Sequence, residues 1–283
     1  MKKKNRMIRI IMYVTLLIAA IITVFPLFYA VMQSLRTNMD IMVRPDQILP
    51  SSPTLDNYRE IMSSEDFNLP ILLRNSIVYT AAKTLIAVVI SSMSAYVFAR
   101  GHFRGKKLIF ACFSSLMFIK LGGISVYATF DVMNALHLPI SLFTLILLAL
   151  FTVPVYNIYL MMGYISTLPV SLDEAAKCDG ASFIGIYFHI ILPLMKPIIA
   201  TIAIMAFKAS WNDYVMPTVF TMTKPEQRTL IVAIMALKNS SGAATSWNIM
   251  FAGTVISLIP VLIIYISLNK YFVSGLTAGA VKE

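Results

Sequence analysis

Side chains able to do chemistry are few in this chain, and most stand far apart. Its three histidines, His102, His137 and His189, are too widely spaced to suggest a metal cluster. Gly101-x-x-x-Gly105-Lys106-Lys107 approaches a phosphate-cradling loop but is one residue short and lacks the Ser/Thr that would meet Mg²⁺. No Ser/His/Asp set stands out, so the chain is not expected to be an enzyme or to bind a cofactor or metal itself. Two polar groups remain, both set in very apolar surroundings. The first is Lys83, Lys120, and Lys208 with Asp213; ionisable groups at membrane depth cost a few kcal/mol and usually face a cavity or a partner. Lys208, Trp211 and Asn212 lie at i, i+3 and i+4 and share one helix face. An aromatic plane beside amide and charged groups suits a sugar, whose ring has an apolar face and polar hydroxyls. Trp211 would equally suit an interfacial belt, and Lys208 and Lys120 would suit snorkelling or carbonyl pairing. The lysines would also suit an anionic solute. The second group is a polar interruption, Glu174-Ala-Ala-Lys-Cys-Asp-Gly180-Ala-Ser-Phe, between two apolar stretches.

The elements that must position these residues are membrane helices. Of 283 residues, 58% are hydrophobic and 13% charged, and the mean hydropathy is +0.79; a soluble domain carries roughly twice that charged fraction. The apolar runs are continuous rather than alternating, which excludes a β-barrel. The pattern predicts an all-α polytopic membrane protein with one domain over residues 1–283. Its six spans are expected at about 10–32, 75–99, 108–130, 141–163, 194–217 and 248–269, each near the roughly 20 residues a bilayer needs. Lys120, Gly122 and Gly123 weaken the third span, and Trp211-Asn212-Asp213 weakens the end of the fifth. The first run is longer than the core of a signal peptide and is read as a retained span. Asn239-Ser-Ser-Gly242 reads as a turn.

Charge sets the orientation. Residues 1–9 carry five Lys/Arg, and the loop 99–107 carries Arg100, Arg104, Lys106 and Lys107, neither with an acid. Both are expected in the cytoplasm. The loop from Arg36 to Arg74 has four Arg against six acids and is expected outside. Alternation then places 164–193, with the segment 169–193 in it, and the tail from Lys270 inside and 218–247 outside, so both termini are expected in the cytoplasm. The net charge of +10 sits largely in clusters flanking apolar runs and does not indicate nucleic-acid binding. Cys112 and Cys178 are expected to be free thiols.

Within 169–193, Ser171 followed by Glu174 has the spacing of a capping box, and Asp173 and Glu174 suit the positive end of a helix. Asp179-Gly180 would end this short helix, and Ser182 would cap a second one carrying Phe183, Ile184, Tyr187 and Phe188. On these grounds alone the segment is either a docking site for a soluble partner or simply a capped connecting helix.

The string Glu174-Ala175-Ala176-x-x-Asp179-Gly180-Ala181, followed by Ile190, Leu192 and Pro193, resembles the EAA signature of ABC-importer permeases. Asn75-Ser76, the run Ala95 to Arg100 before Phe103-x-Gly105-Lys106, Trp211-Asn212-Asp213 and the tail Phe272 to Lys282 resemble the carbohydrate-uptake, maltose-permease-like branch. The resemblance spans nearly the whole chain; Cys178 is a small departure, where many relatives carry another small or apolar residue. It implies a type I ABC importer permease of six spans in a bacterial-type inner membrane. It implies, as partners, a second homologous permease, two ATPase subunits that bind ATP and Mg²⁺, an extracytoplasmic solute-binding protein and a carbohydrate substrate. Glu174, Ala175, Ala176, Asp179, Gly180 and Ala181 would then couple to the ATPase, and the tail would also reach that interface. An importer of another solute, or an ion-coupled carrier using Asp213, are the alternatives. The identity of the sugar is not written in these residues.

Overall fold

A computed structural model describes residues 2–63, 67–119, 122–237 and 246–280, with side chains described from Arg9 to Leu268 and at Met7. All secondary structure among the described residues is helical. In chain order the elements are α1 (Lys2–Ser34), α2 (Asn38–Val43), α3 (Asp56–Ser63), α4 (Leu69–Arg100), α5 (Lys106–Ser115), α6 (Ile124–Ala135), α7 (Leu142–Ala149) and α8 (Val155–Thr167). They continue with α9 (Ser171–Cys178), α10 (Phe183–Ile186), a π-helical turn (Tyr187–Ile191), α11 (Leu192–Leu194), α12 (Lys196–Trp211), α13 (Val215–Phe220), α14 (Leu230–Ala236) and α15 (Trp247–Ala280).

Among the described residues three helices are long and apolar enough to cross a membrane: Arg9–Ser34 within α1, α4, and Trp247–Leu268 within α15. These coincide with the expected first, second and sixth spans. The expected fifth span begins at a bend of 78° between Phe183–Leu194 and Lys196–Trp211. Pro193 and Pro197 have no N–H to continue the helical ladder there, and the π-helical turn before them absorbs an extra residue. The third and fourth expected spans are not continuous helices. Residues 108–130 are divided between α5 and α6, with Gly122 in the left-handed region at φ +51°. Residues 141–163 are divided between α7 and α8, where Pro154 removes a donor and disfavours helical backbone at Val153. Lys120 and the expected turn at Asn239–Gly242 lie outside the described residues.

Contacts group the chain into two compact units, residues 1–70 with 230–259 and residues 71–229 with 260–283. In the first, Arg36 is buried and ties the chain after α1 into a knot. Its Nε donates to Asp40 Oδ2 at 2.6 Å, its Nη1 to Gln33 Oε1 and the Gln47 carbonyl, and its Nη2 to the Asp40 and Arg44 carbonyls. The buried Asn57 of α3 donates to the carbonyls of Ser34 and Arg36 and accepts from Asn248 of α15 at 2.7 Å. Gly253 of α15 lets that helix approach Ile234 of α14; a Cβ there would lie 2.9 Å from Ile234 Cγ1.

The second unit has two apolar clusters. One gathers Tyr96 and Phe98 of α4, Met161 and Ile165 of α8, Ala176 of α9, and Ile186, Ile191 and Ile198 around the bend. The other joins Tyr79, Met133, Leu142, Leu145 and Phe220. Asn75 of α4 donates to the carbonyls of Glu226 and Arg228, which fixes the loop after α13 to α4. Cys112 and Cys178 are free and exposed.

Candidate functional site

The interruption folds as expected in its second half and differently in its first. Pro169 and Val170 already take part in the helical turn, so the N-cap of α9 is Val170, in helical backbone, and makes no side-chain cap. Ser171 is thereby the first helical residue, whereas a capping side chain needs extended backbone. The capping box does not form. Glu174 is exposed, and its carboxylate makes no hydrogen bond or ion pair with the described residues. At the other end the Gly180 N–H donates to Lys177 O and the Ala181 N–H to Ala176 O, the double bond of a Schellman motif, with Gly180 left-handed at φ +82°. Ser182 Oγ accepts from Gly185 N and caps α10, as its position predicts.

The EAA residues therefore divide. Glu174, Ala175, Asp179 and Gly180 are exposed together, while Ala176 is buried in the apolar cluster and Ala181 is half-buried against it. The inward partner of Ala176, one turn earlier, is Asp173, 4% exposed. Sequence reasoning missed its role. Asp173 Oδ2 lies 3.0 Å from Arg100 Nε, at the last residue of α4, and Arg100 Nη2 donates to the Leu168 carbonyl at 2.6 Å. The ion pair is close but not aligned as a hydrogen bond, and neither Asp173 oxygen has an aligned partner among the described residues.

Two more α4 residues complete a clasp at four-residue spacing. Ser92 Oγ and Tyr187 OH are 2.8 Å apart. Tyr96 stacks on Phe183, with ring centroids 4.5 Å apart, and donates to its carbonyl. Ser92, Tyr96 and Arg100 thus hold the whole segment 168–187 to one stripe of α4. The complementary charges of Arg100 and Asp173, each beside an apolar run, were the available signal.

Nearer the start of α4, Tyr79 and Lys83 border a partly open cavity of about 350 Å³. Tyr79 OH donates to Asp213 Oδ2 at 2.6 Å, and Lys83 Nζ reaches the same oxygen at 3.0 Å and Tyr79 OH at 2.8 Å. The structure so brings together two of the predicted pathway residues, Lys83 and Asp213, from opposite ends of the unit's sequence. Lys208, Trp211 and Asn212 are set apart from the cavity. Lys208 and Asn212 are exposed, Trp211 is buried and stacks on Phe207, and the Asn212 amide donates to Lys208 O and closes α12. Instead α12 presents Ala206, Ala209 and Ser210 to the cavity, with Asn157 of α8 also on its wall. The arrangement can hold a polar solute by hydrogen bonds, and among the described residues no group of acids, His or Cys is placed to hold a metal.

Residues 1–277 match the family of binding-protein-dependent transport system inner membrane components. The chain is 36% identical to the galactooligosaccharides transport system permease protein GanQ of Bacillus subtilis, over 99% of this chain and 98% of that protein. It is 33% identical to the trehalose/maltose transport system permease protein MalG of Thermococcus litoralis, over 97% of each. Its structure is similar to a chain of a bacterial ABC transporter involved in the import of the acidic polysaccharide alginate, with a TM-score of 0.79 and 25% identity over 95% of this chain and 98% of that one. With long apolar helices, a short helix bearing the EAA string, and matches that run nearly end to end, the chain belongs to the family of inner membrane components of binding-protein-dependent transport systems.

Proposed function

We propose that this chain is one permease subunit of an ATP-driven, type I importer for a carbohydrate. It crosses the inner membrane six times, the broken pairs α5–α6 and α7–α8 each accounting for one crossing, with both termini and α9 in the cytoplasm. It pairs with a second homologous permease and two ATPase subunits, which bind and hydrolyse Mg-ATP, and it receives solute from an extracytoplasmic binding protein. The relatives named for galactooligosaccharides and for trehalose and maltose support a carbohydrate. One observation carries the coupling role: α9 is anchored on its inner face through Asp173 and Ala176, and it leaves Glu174, Ala175, Asp179 and Gly180 exposed, the Glu174 carboxylate without a partner among the described residues. A short helix with small residues outward can enter a groove of a partner, and the clasp on α4 passes its movement toward the cavity.

The test is purification of the whole complex from its native membrane in mild detergent, followed by reconstitution. Recovery with a second permease and an ATPase is expected. Recovery alone or as a homodimer, where a known ABC complex survives, would overturn the partner set. In the reconstituted complex, Glu174→Lys and Gly180→Val should lower solute transported per ATP about tenfold, the effect of roughly 1.4 kcal/mol at the interface. Unchanged uptake by both variants at normal protein level would remove α9 from the coupling path.

A further inference from the structure

The sign of the cavity is set by one pair of groups. Lys83 is the only charged residue among the described residues lining it, and Asp213 matches that charge at 3.0 Å through the oxygen that also accepts from Tyr79. Both side chains are mostly buried, at 26% and 19% exposure, so the match is little weakened by water. The other polar groups are uncharged. The Asn157 amide and the Ser210 hydroxyl line the wall and make no hydrogen bond with the described residues. Thr129 and Thr152 donate to their own helices, at Ser125 O and Leu148 O, and keep acceptor lone pairs free. The rest of the wall is largely alanine, leucine and methionine. An anion entering here would lose its water and meet no unmatched cation, an arrangement that disfavours burial. A hydroxyl both donates and accepts, and an amide and a hydroxyl answer it on both counts.

We infer that this cavity is a subsite for an uncharged, hydroxyl-rich solute, and that the Tyr79–Lys83–Asp213 cluster keeps anionic solutes out. A structurally similar chain comes from a transporter involved in the import of an acidic polysaccharide, so the sign of the solute is a real point of difference among such proteins. The nature of the solute rests on the carbohydrate reading above; the neutrality of the cavity does not.

The test separates the two. In a Cys112→Ser/Cys178→Ser background of the reconstituted importer, Ala209→Cys places a thiol on an exposed part of the cavity wall. Rates of reaction with an anionic sulfonatoethyl and a cationic trimethylammonium-ethyl methanethiosulfonate are each normalised to free 2-mercaptoethanol. Their ratio should fall within about threefold of one, and should rise about tenfold toward the anion in Asp213→Asn, where Lys83 loses its match. Lys83→Gln/Asp213→Asn should return it to near one, which guards against misfolding of the single variant. A tenfold or larger preference for the anion in the parent would overturn the inference. In parallel, ATPase stimulation is measured with neutral galacto-, gluco- and arabino-oligosaccharides and with galacturonate oligomers of equal length. Stimulation by the neutral sugars alone is expected, and stimulation by the uronates alone would overturn the inference. A neutral ratio with no sugar active would uphold the charge assignment and overturn the carbohydrate reading.

Discussion

Replacing Arg100 by Met tests how α9 is held. The change leaves the Asp173 carboxylate, 5% exposed, without its cation and without any aligned hydrogen bond among the described residues. Removing one member of a buried ion pair costs about 3–5 kcal/mol, because the other charge stays buried and unmatched. Asp173 can relieve this cost by taking α9 out to water, since on the inner face of α9 the other buried residue is Ala176. Local opening therefore takes up the penalty in place of global unfolding. Amide hydrogen exchange of residues 174–180 in the assembled complex reads this directly. At about 1.4 kcal/mol per factor of ten, exchange should quicken by roughly two to three and a half factors of ten in Arg100→Met. Arg100→Met/Asp173→Leu removes both charges and should recover most of the protection, since an apolar pair of similar volume is near neutral. Because the pair is buried, added salt should change little. Exchange in Arg100→Met within threefold of the parent, or a double variant no better than the single, would refute the role given to the ion pair.

Two further predictions concern the first unit. The Arg36 guanidinium bonded to Asp40 holds that carboxyl below its ordinary value of 3.8, and the Thr54 hydroxyl with Arg59 does the same for Asp56. Their stabilisation is complete above the unfolded value and is lost as pH falls through the lower folded one. Limited proteolysis by pepsin should therefore find α2 and α3 protected down to about pH 4 and exposed below it. Asp40→Asn should be cut already at the higher pH with a flatter acid dependence; equal acid dependence in the variant would contradict the assignment. Gly253→Leu adds atoms where even a Cβ would sit 2.9 Å from Ile234 Cγ1, and Ile234 is 1% exposed. Overpacking of this kind costs about 1–3 kcal/mol, so the melting temperature in detergent should drop by several degrees and recover in part with Ile234→Ala. An unchanged melting temperature would mean that α14 and α15 are looser than described.

What was legible in the sequence is what local chemistry decides. Uninterrupted apolar runs marked α1, α4 and α15, Gly180 marked the end of α9, and Ser182 marked the start of α10. Gly122 and Gly123 marked the third expected span as weak, and it is broken there. The break in the fourth was harder to see, because an average over some twenty residues hides a single Pro154 that interrupts the ladder while leaving the apolarity intact. Asp173 and Glu174 were alike as first-turn acids, and only the distant Arg100 tells them apart. The capping box failed for a reason one residue upstream, at Val170. Lys83 and Asp213 were each visible as lone charges in apolar surroundings, and their opposite signs were the clue to pairing. Trp211 drew attention because aromatic residues suit sugars, yet the cavity wall of α12 is built from small residues, which carry no signature of their own.

The unbroken course of α4 from Lys83 to Arg100 has a mechanical consequence. Seventeen helical steps at about 1.5 Å put these two residues roughly 26 Å apart along one rod. A tilt of about 10° pivoted at the cavity would sweep the Arg100 end through about 4–5 Å, by the same rise per residue. The clasp of Ser92, Tyr96 and Arg100 sits on the outer half of this lever arm, where leverage is greatest. A force of given size applied at α9 therefore acts on the residues around Lys83 with mechanical advantage, exchanging a long stroke below for a short, strong one at the solute.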